Sequence, residues 1–110
     1  MTIVIADVQH GDAKAKLCTE IICELPRSFG RPEANADYVR DMADCTVFGA
    51  SVARQVQGLM ALQVQFASTC NIWWLGVRPS AHRRGIGRAL MARSVEFART
   101  GNCSRMAWRP

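Results

Sequence analysis

Histidine is nearly absent from this chain, with only His10 and His82, and the five cysteines contain no Cys-x-x-Cys pair. No zinc-ligand spacing can be assembled from such a set, so no resident metal is expected. Cys18, Cys23, Cys45, Cys70 and Cys103 are odd in number and widely scattered. They read as reduced thiols rather than as a disulfide framework. No apolar run approaches the ~20 residues that span a bilayer, so no membrane partner is expected. The apolar N-terminus lacks the basic flank and small-residue cleavage pattern of a signal peptide, which makes the cytoplasm the expected compartment. Internal repeats and low-complexity tracts are missing as well.

What is present is the composition of an ordinary globular protein, 110 residues with 49% hydrophobic and 21% charged side chains. That length supports one domain, residues 1–110, around one modest core. The net charge of +5 is unevenly spread. Residues 1–77 carry six basic and eight acidic side chains. Residues 78–110 carry eight arginines (78, 83, 84, 88, 93, 99, 105 and 109) against Glu96 alone. Such a segment calls for a polyanionic partner, either a nucleic acid or a phosphate-rich small molecule. Composition does not choose between them.

Hydrophobic periodicity predicts the element order β-α-α-β-β-β-α-β and a mixed α/β (α+β) domain. Residues 2–8 alternate as a strand. Asp12 is placed to cap a helix that runs to Leu25, with Leu17, Cys18, Ile21, Ile22 and Leu25 on one face and Pro26 as its stop. Asn35 begins a shorter helix with Val39, Met42 and Ala43 inward. Residues 46–53 and 56–66 form two strands joined at Arg54 and Gln55, and Gly49 and Gly58 mark bulges or close backbone approaches. Residues 71–77 form a strongly apolar strand, on which Trp73 and Trp74 fall on opposite faces. A helix over residues 85–100 carries an apolar stripe of Leu90, Met91, Val95 and Ala98, with Gly101 and Asn102 as its C-terminal cap. Residues 104–108 make a last strand, with Trp108 in the core.

The informative stretch runs from Leu75, Gly76 and Val77 through Pro79 to His82, Arg83, Arg84, Gly85, Ile86, Gly87, Arg88, Ala89 and Leu90. An apolar strand enters a basic loop, a Gly-x-Gly turn follows, and then an amphipathic helix. The first N–H groups of a helix have no intrahelical partner and sit at the positive end of its dipole. Glycines let a diphosphate approach the backbone, and arginines add charge-assisted hydrogen bonds. A dinucleotide fingerprint would require a third glycine where Leu90 stands, and a P-loop would require Gly-Lys-Ser/Thr at the helix start.

This stretch closely resembles the GNAT N-acetyltransferases over residues 71–98, with element order supporting the match back to Thr2. In that family the fourth strand is followed by a loop of pattern Gln/Arg-x-x-Gly-x-Gly/Ala; His82 stands at the Gln/Arg position here. The resemblance implies a largely antiparallel GNAT-like sheet flanked by helices, and acetyl-coenzyme A as cosubstrate. Amides around Arg83, Arg84, Gly85, Ile86, Gly87 and Arg88, with His82 beside them, would hold its diphosphate. The backbone of Leu75, Gly76 and Val77 would pair with its pantetheine arm, and a bulge near Gly76 would polarise the thioester carbonyl. The family's glutamate base corresponds to Trp73, which accepts no proton. Its tyrosine acid lies after the fifth strand, whereas Tyr38 is the one tyrosine here. Glu24, Glu33 and Asp37 are the remaining candidates for accepting the amine proton through water.

The expected activity is therefore acetyl transfer to a primary amine of a small molecule or protein. The alternatives are an inert acyl-coenzyme A-binding module and a basic nucleic-acid-binding domain, though no groove-reading motif accompanies the arginines. The family's final helix and last two strands have no counterpart before Pro110. The chain is accordingly expected to be a form truncated after its fifth strand, whose open edge favours a homodimer.

Overall fold

Short β-branched and apolar runs punctuated by three amphipathic stretches give one five-stranded sheet with helices on both faces. The computed structural model describes residues 2–25, 32–65, 69–100 and 105–108. In chain order these are β1 (Val4–Val8), α1 (Gly11–Glu24), α2 (Pro32–Asp41), β2 (Thr46–Val52), β3 (Gln55–Gln65), β4 (Thr69–Val77), α3 (Ile86–Thr100) and β5 (Arg105–Trp108). Single 3₁₀ turns at Met42–Asp44 and Pro79–Ala81 precede β2 and α3. The sheet order is β1-β2-β3-β4-β5. The first four strands pair antiparallel, and β5 runs parallel to β4. Among the described residues no helix is long and apolar enough to cross a membrane.

On α1 the predicted stripe packs as read: Cys18, Ile21 and Ile22 are buried against the sheet, with Leu17 and Leu25 at their margin. Lys14 extends the stripe one turn back. Its stem is buried and its Nζ donates to the Cys45 carbonyl at 2.8 Å and the Ala43 carbonyl at 3.3 Å, fastening α1 to the start of β2. The cap differs from the reading. The Lys14 N–H donates to the His10 carbonyl at 3.0 Å, so His10 is the N-cap and Asp12 sits in the first turn. There the acid still complements the helix dipole. The second helix starts at Pro32, a favoured first position, so Asn35 lies inside it. Val39 and Met42 face the core, whereas Ala43 is exposed.

The other face of the sheet carries α3. Phe48, Met60, Leu62, Ile72 and Leu90 are each 1% exposed or less in this cluster. Burying each contributes ~1.5–3 kcal/mol. The buried stripe of α3 is Ile86, Leu90, Ser94 and Ala98, with Phe97 beside it. Met91 and Val95, read as core, are 36% and 38% exposed. The row of i, i+4 positions starting at Ile86 fixes the phase of the helix, and it rolls those two outward. Arg93 lies at the edge of this stripe with its guanidinium 4.6 Å from the Phe48 ring centre. Gly58 allows the close approach of α3, since a Cβ there would stand 2.7 Å from Ile86 Cγ2. The cap expected at Gly101 and Asn102, the thiol of Cys103 and the side chain of Trp108 lie outside the described residues.

Besides a bulge at Gln57 of β3, opposite Ala50 and Ser51 of β2, two irregularities depart from the alternating pattern. The β2–β3 turn is Ala53 and Arg54, one residue earlier than read, with φ of 53° and 68°. Two-residue hairpins favour this left-handed pair because it matches strand twist, but Asn-Gly fills it at far lower cost. The second irregularity is in β4. Ala61 stands opposite Trp74 and Leu62 opposite Ile72, so Trp73 is an extra residue. The bulge lies at Trp73, three residues before the expected position near Gly76. It reverses the faces: Cys70 and Ile72 pack toward α3, while both Trp73 and Trp74 pack toward α1 and α2. The tryptophans therefore do not divide across the strand, because the inserted residue cancels the alternation between them.

Replacing Ala53 by Asn together with Arg54 by Gly is expected to raise unfolding stability by about 1 kcal/mol. Urea denaturation reads this directly, and an unchanged or lowered midpoint would show that the turn carries no strain.

Candidate functional site

The loop between β4 and α3 is built to present backbone N–H groups. The first α3 bond runs from the Ala89 N–H to the Gly85 carbonyl at 3.0 Å, which leaves the amides of Ile86, Gly87 and Arg88 without an intrahelical acceptor. Two left-handed residues, Arg83 at φ 65° and Gly85 at φ 80°, turn the chain into this helix start. A Cβ added at Gly85 or Gly87 would meet nothing within 4 Å, so packing does not explain either glycine. The space in front of them is left open. No acidic residue occupies the first turn of α3, although Arg83, Arg84 and Arg88 crowd the positive end of its dipole. Positive side chains there repel the dipole, and an anion would reverse the sign of that term.

A cavity of about 710 Å³ opens from this loop along the end of β4. Leu75, Gly76 and Val77 form its floor, and His82, Arg83, Gly85, Ile86, Gly87 and Arg88 surround its mouth. Nine of the ten residues read as a coenzyme site thus line one space. Arg84 is the exception: it lines a separate pocket of about 180 Å³ behind the loop, with Gln57 and Ser80. Leu25 and Ala81, which the sequence reading missed, complete the apolar wall. Leu25 had appeared only as the end of a helix stripe, and nothing local in the sequence tells that it reaches β4. Among the described residues β5 covers β4 only over residues 69–72, so residues 73–77 have β3 as their only strand neighbour. That open edge runs along the cavity.

On the opposite face the Trp74 ring lies across Gly76. A Cβ at Gly76 would stand 2.5 Å from Trp74 Cη2 and 2.9 Å from Ile21 Cγ2. Tyr38 of α2 meets Trp73 edge-on, with ring centres 5.5 Å apart. Far away in sequence, this tyrosine is brought to the strand that the cavity follows. Of the three candidate carboxylates, the two whose side chains are described are held in ion pairs. Glu24 pairs with Arg78, which also reaches Glu20 at 3.3 Å and donates through Nε to the Val56 carbonyl at 2.8 Å. Asp37 pairs with Arg40 at 2.8 Å on the exposed side of α2. Glu33 belongs to α2, and its side chain lies outside the described residues.

The model of the acetyltransferase (GNAT) family matches residues 15–109. The chain belongs to this family. No curated protein sequence matches it. Among solved structures it resembles an IAA acetyltransferase from Bacillus cereus with a TM-score of 0.72 and 22% identity, covering 96% of this chain and 63% of that one. A ribosomal-protein-alanine N-acetyltransferase from Brucella melitensis biovar Abortus gives a TM-score of 0.76 at 15% identity, covering 99% and 80%. AAC(6')-Iy in complex with a CoA bisubstrate analogue gives 0.70 at 15% identity, covering 100% and 80%. At such identities the likeness concerns the fold, and the chain spans less than two thirds of the Bacillus cereus protein's length.

Glu24, one of the candidate proton acceptors, is engaged by Arg78. Two of the thiols are poor nucleophiles: burial pushes the Cys18 thiol up to about 12 and also raises that of Cys45. Both stay protonated near neutral pH. Cys23 is exposed, whereas Cys18, Cys45 and Cys70 are buried. Among these four, alkylation mapped by mass spectrometry is expected to reach Cys23 first; prior labelling of Cys18 would contradict the packing of α1. Because the partners of Arg78 are more than a third exposed, Glu24→Gln is expected to cost about 0.5–1 kcal/mol of stability, read by denaturant titration.

Proposed function

We propose that this chain binds acetyl-coenzyme A and transfers its acetyl group to a primary amine of a small molecule or a protein. One observation carries the reading: the open cradle at Gly85 and Gly87, ringed by arginines at a helix N-terminus, continues directly into an uncovered strand edge. The first feature suits a diphosphate and the second suits an amide-bearing arm, so a single elongated ligand with both parts matches the cavity. Family membership supports the same choice. The nucleic-acid reading draws no comparable support, because the basic residues are divided among a cavity mouth, a back pocket and the core.

Acetyl-coenzyme A supplies an activated thioester carbonyl, open to attack by a neutral amine. The chain's own residues supply binding and orientation. The amides of Ile86, Gly87 and Arg88 hold phosphate oxygens, and the Arg83 and Arg88 guanidinium groups add charge-assisted bonds. The outward backbone groups of Leu75 and Val77 align the arm, while Leu25, Ala81 and Ile86 exclude water from its side. The bulge turns backbone groups at Trp73 out of register with β3, which offers an N–H for a carbonyl oxygen. The acceptor amine enters from the α1–α2 side, over Trp73 and Tyr38. Such chemistry belongs in the cytoplasm, where acetyl-coenzyme A is at hand.

The engagement of Glu24 and Asp37 in ion pairs, with Trp73 at the family's base position, favours one second reading, an acyl-coenzyme A binder without turnover. Calorimetric titration with acetyl-coenzyme A, beside a Gly87→Glu variant, separates the possibilities. Wild type is expected to saturate, and the variant to bind about a hundredfold more weakly, since a like charge facing the diphosphate costs several kcal/mol. The variant should fold and melt at or somewhat above wild type, because no protein atom opposes its side chain and Glu suits a helix start. Thiol release with a panel of amines then identifies turnover, with Cys23→Ser removing an exposed background thiol. A folded wild type that does not bind would sink the proposal.

A further inference from the structure

Alternation along β4 decides which of its backbone groups face the cavity. The Arg78 N–H donates to the Gln57 carbonyl of β3 at 2.8 Å, and Val77, Gly76 and Leu75 stand opposite Gly58, Leu59 and Met60. Successive residues of an antiparallel strand turn their N–H and C=O alternately toward and away from the partner. Gly76 therefore points its groups at β3, as Arg78 does. Leu75 and Val77 point theirs outward, along the edge that β5 leaves uncovered.

One of those four outward groups is already engaged. His82 Nε2 lies 2.8 Å from the Val77 carbonyl oxygen. A carbonyl only accepts, so Nε2 carries the proton and the ring donates. The His82 main chain is held separately, its N–H bonded to the Pro79 carbonyl at 3.2 Å. The side chain is exposed and stands at the cavity mouth. The ring can therefore swing away without unmaking the turn that carries it. An edge carbonyl left bare also invites pairing with another chain, which gives the contact a use in the empty protein.

We propose that His82 is an internal stand-in for the ligand: its ring occupies the Val77 carbonyl while the site is empty and yields it to an amide N–H of the incoming arm. The inference rests on the coenzyme reading above. It assigns His82 an effect on the arm of the ligand and none on the phosphate end. Removing the ring removes a competitor, so the arm should bind more tightly by about the worth of one exposed hydrogen bond, roughly two- to tenfold.

The test compares coenzyme A with adenosine diphosphate, which has the phosphates and lacks the arm, on wild type, His82→Ala and His82→Gln. The expected result is a two- to tenfold tighter coenzyme A complex for H82A, unchanged diphosphate binding, and near wild-type values for H82Q, whose amide still donates. On the wild type alone, nitrogen-15 spectra of the ring should show the Nε2 hydrogen bond lost with coenzyme A and kept with adenosine diphosphate. Equal or weaker coenzyme A binding by H82A, or a ring signal that coenzyme A leaves unmoved, overturns the inference while the coenzyme reading stands. Weaker diphosphate binding by H82A also overturns it, making His82 a phosphate ligand. Should wild type bind neither compound, the coenzyme reading falls and takes this inference with it.

Discussion

The extra residue in β4 fixes the register on which the ligand side of the sheet depends. Without Trp73 as an insertion, Trp74 would continue the row of Cys70 and Ile72 and press its indole into the cluster beneath α3. With it, both indoles turn toward α1 and α2, and Leu75 and Val77 turn to the α3 side. Gly76 follows from the same shift, because the displaced Trp74 ring lies over its Cα and leaves no room for a methyl group. A one-residue change of register reverses every later side chain, so a single bulge is enough to turn a uniform core strand into a partition.

Charge is arranged around that partition with different purposes on its two sides. Arg78, just past the strand, is consumed by Glu20, Glu24 and the Val56 carbonyl, and so draws the end of α1 and its Leu25 over β4. Arg93 spends its charge on the face of Phe48. Arg83 and Arg88 remain at the cavity mouth, and among the described residues neither is in an ion pair. The basic excess of the second part of the sequence is thus not one surface. Among the described residues it is divided into a clasp, a contact with Phe48, a local field at a helix end, Arg84 in the back pocket and Arg99 in the open.

Much of this was legible in the sequence where the cause is local. The order of elements follows from apolar periodicity, and the open loop of unpaired amides follows from Gly85 and Gly87 ahead of a helix with arginines beside them. What sequence did not show has its cause across strands. The Trp73 bulge is a matter of what stands opposite in β3, and no neighbouring residue announces it. The phase of α3 was misjudged because Met91 and Val95 are as apolar as Ile86 and Phe97; contact with Gly58 on β3 decides which row is buried. The pairing of Glu24, a candidate proton acceptor, was hidden because its partner, Arg78, lies 54 positions away.

The glycines of this protein differ in what holds them in place. At Gly58 and Gly76 a side chain would collide with Ile86, Trp74 or Ile21, so the fold itself forbids replacement. At Gly87 nothing collides, and any ordinary helix former would be the more stable choice there by up to about 1 kcal/mol. Folding alone therefore does not call for glycine at this position. A lineage released from an occupant of the cradle could lose the site in a single substitution while keeping a sound, even a sturdier, protein. The packed Gly58 and Gly76 and the left-handed Gly85 are required by the fold, whereas Gly87 is not, so the shape and the open cradle can be inherited apart.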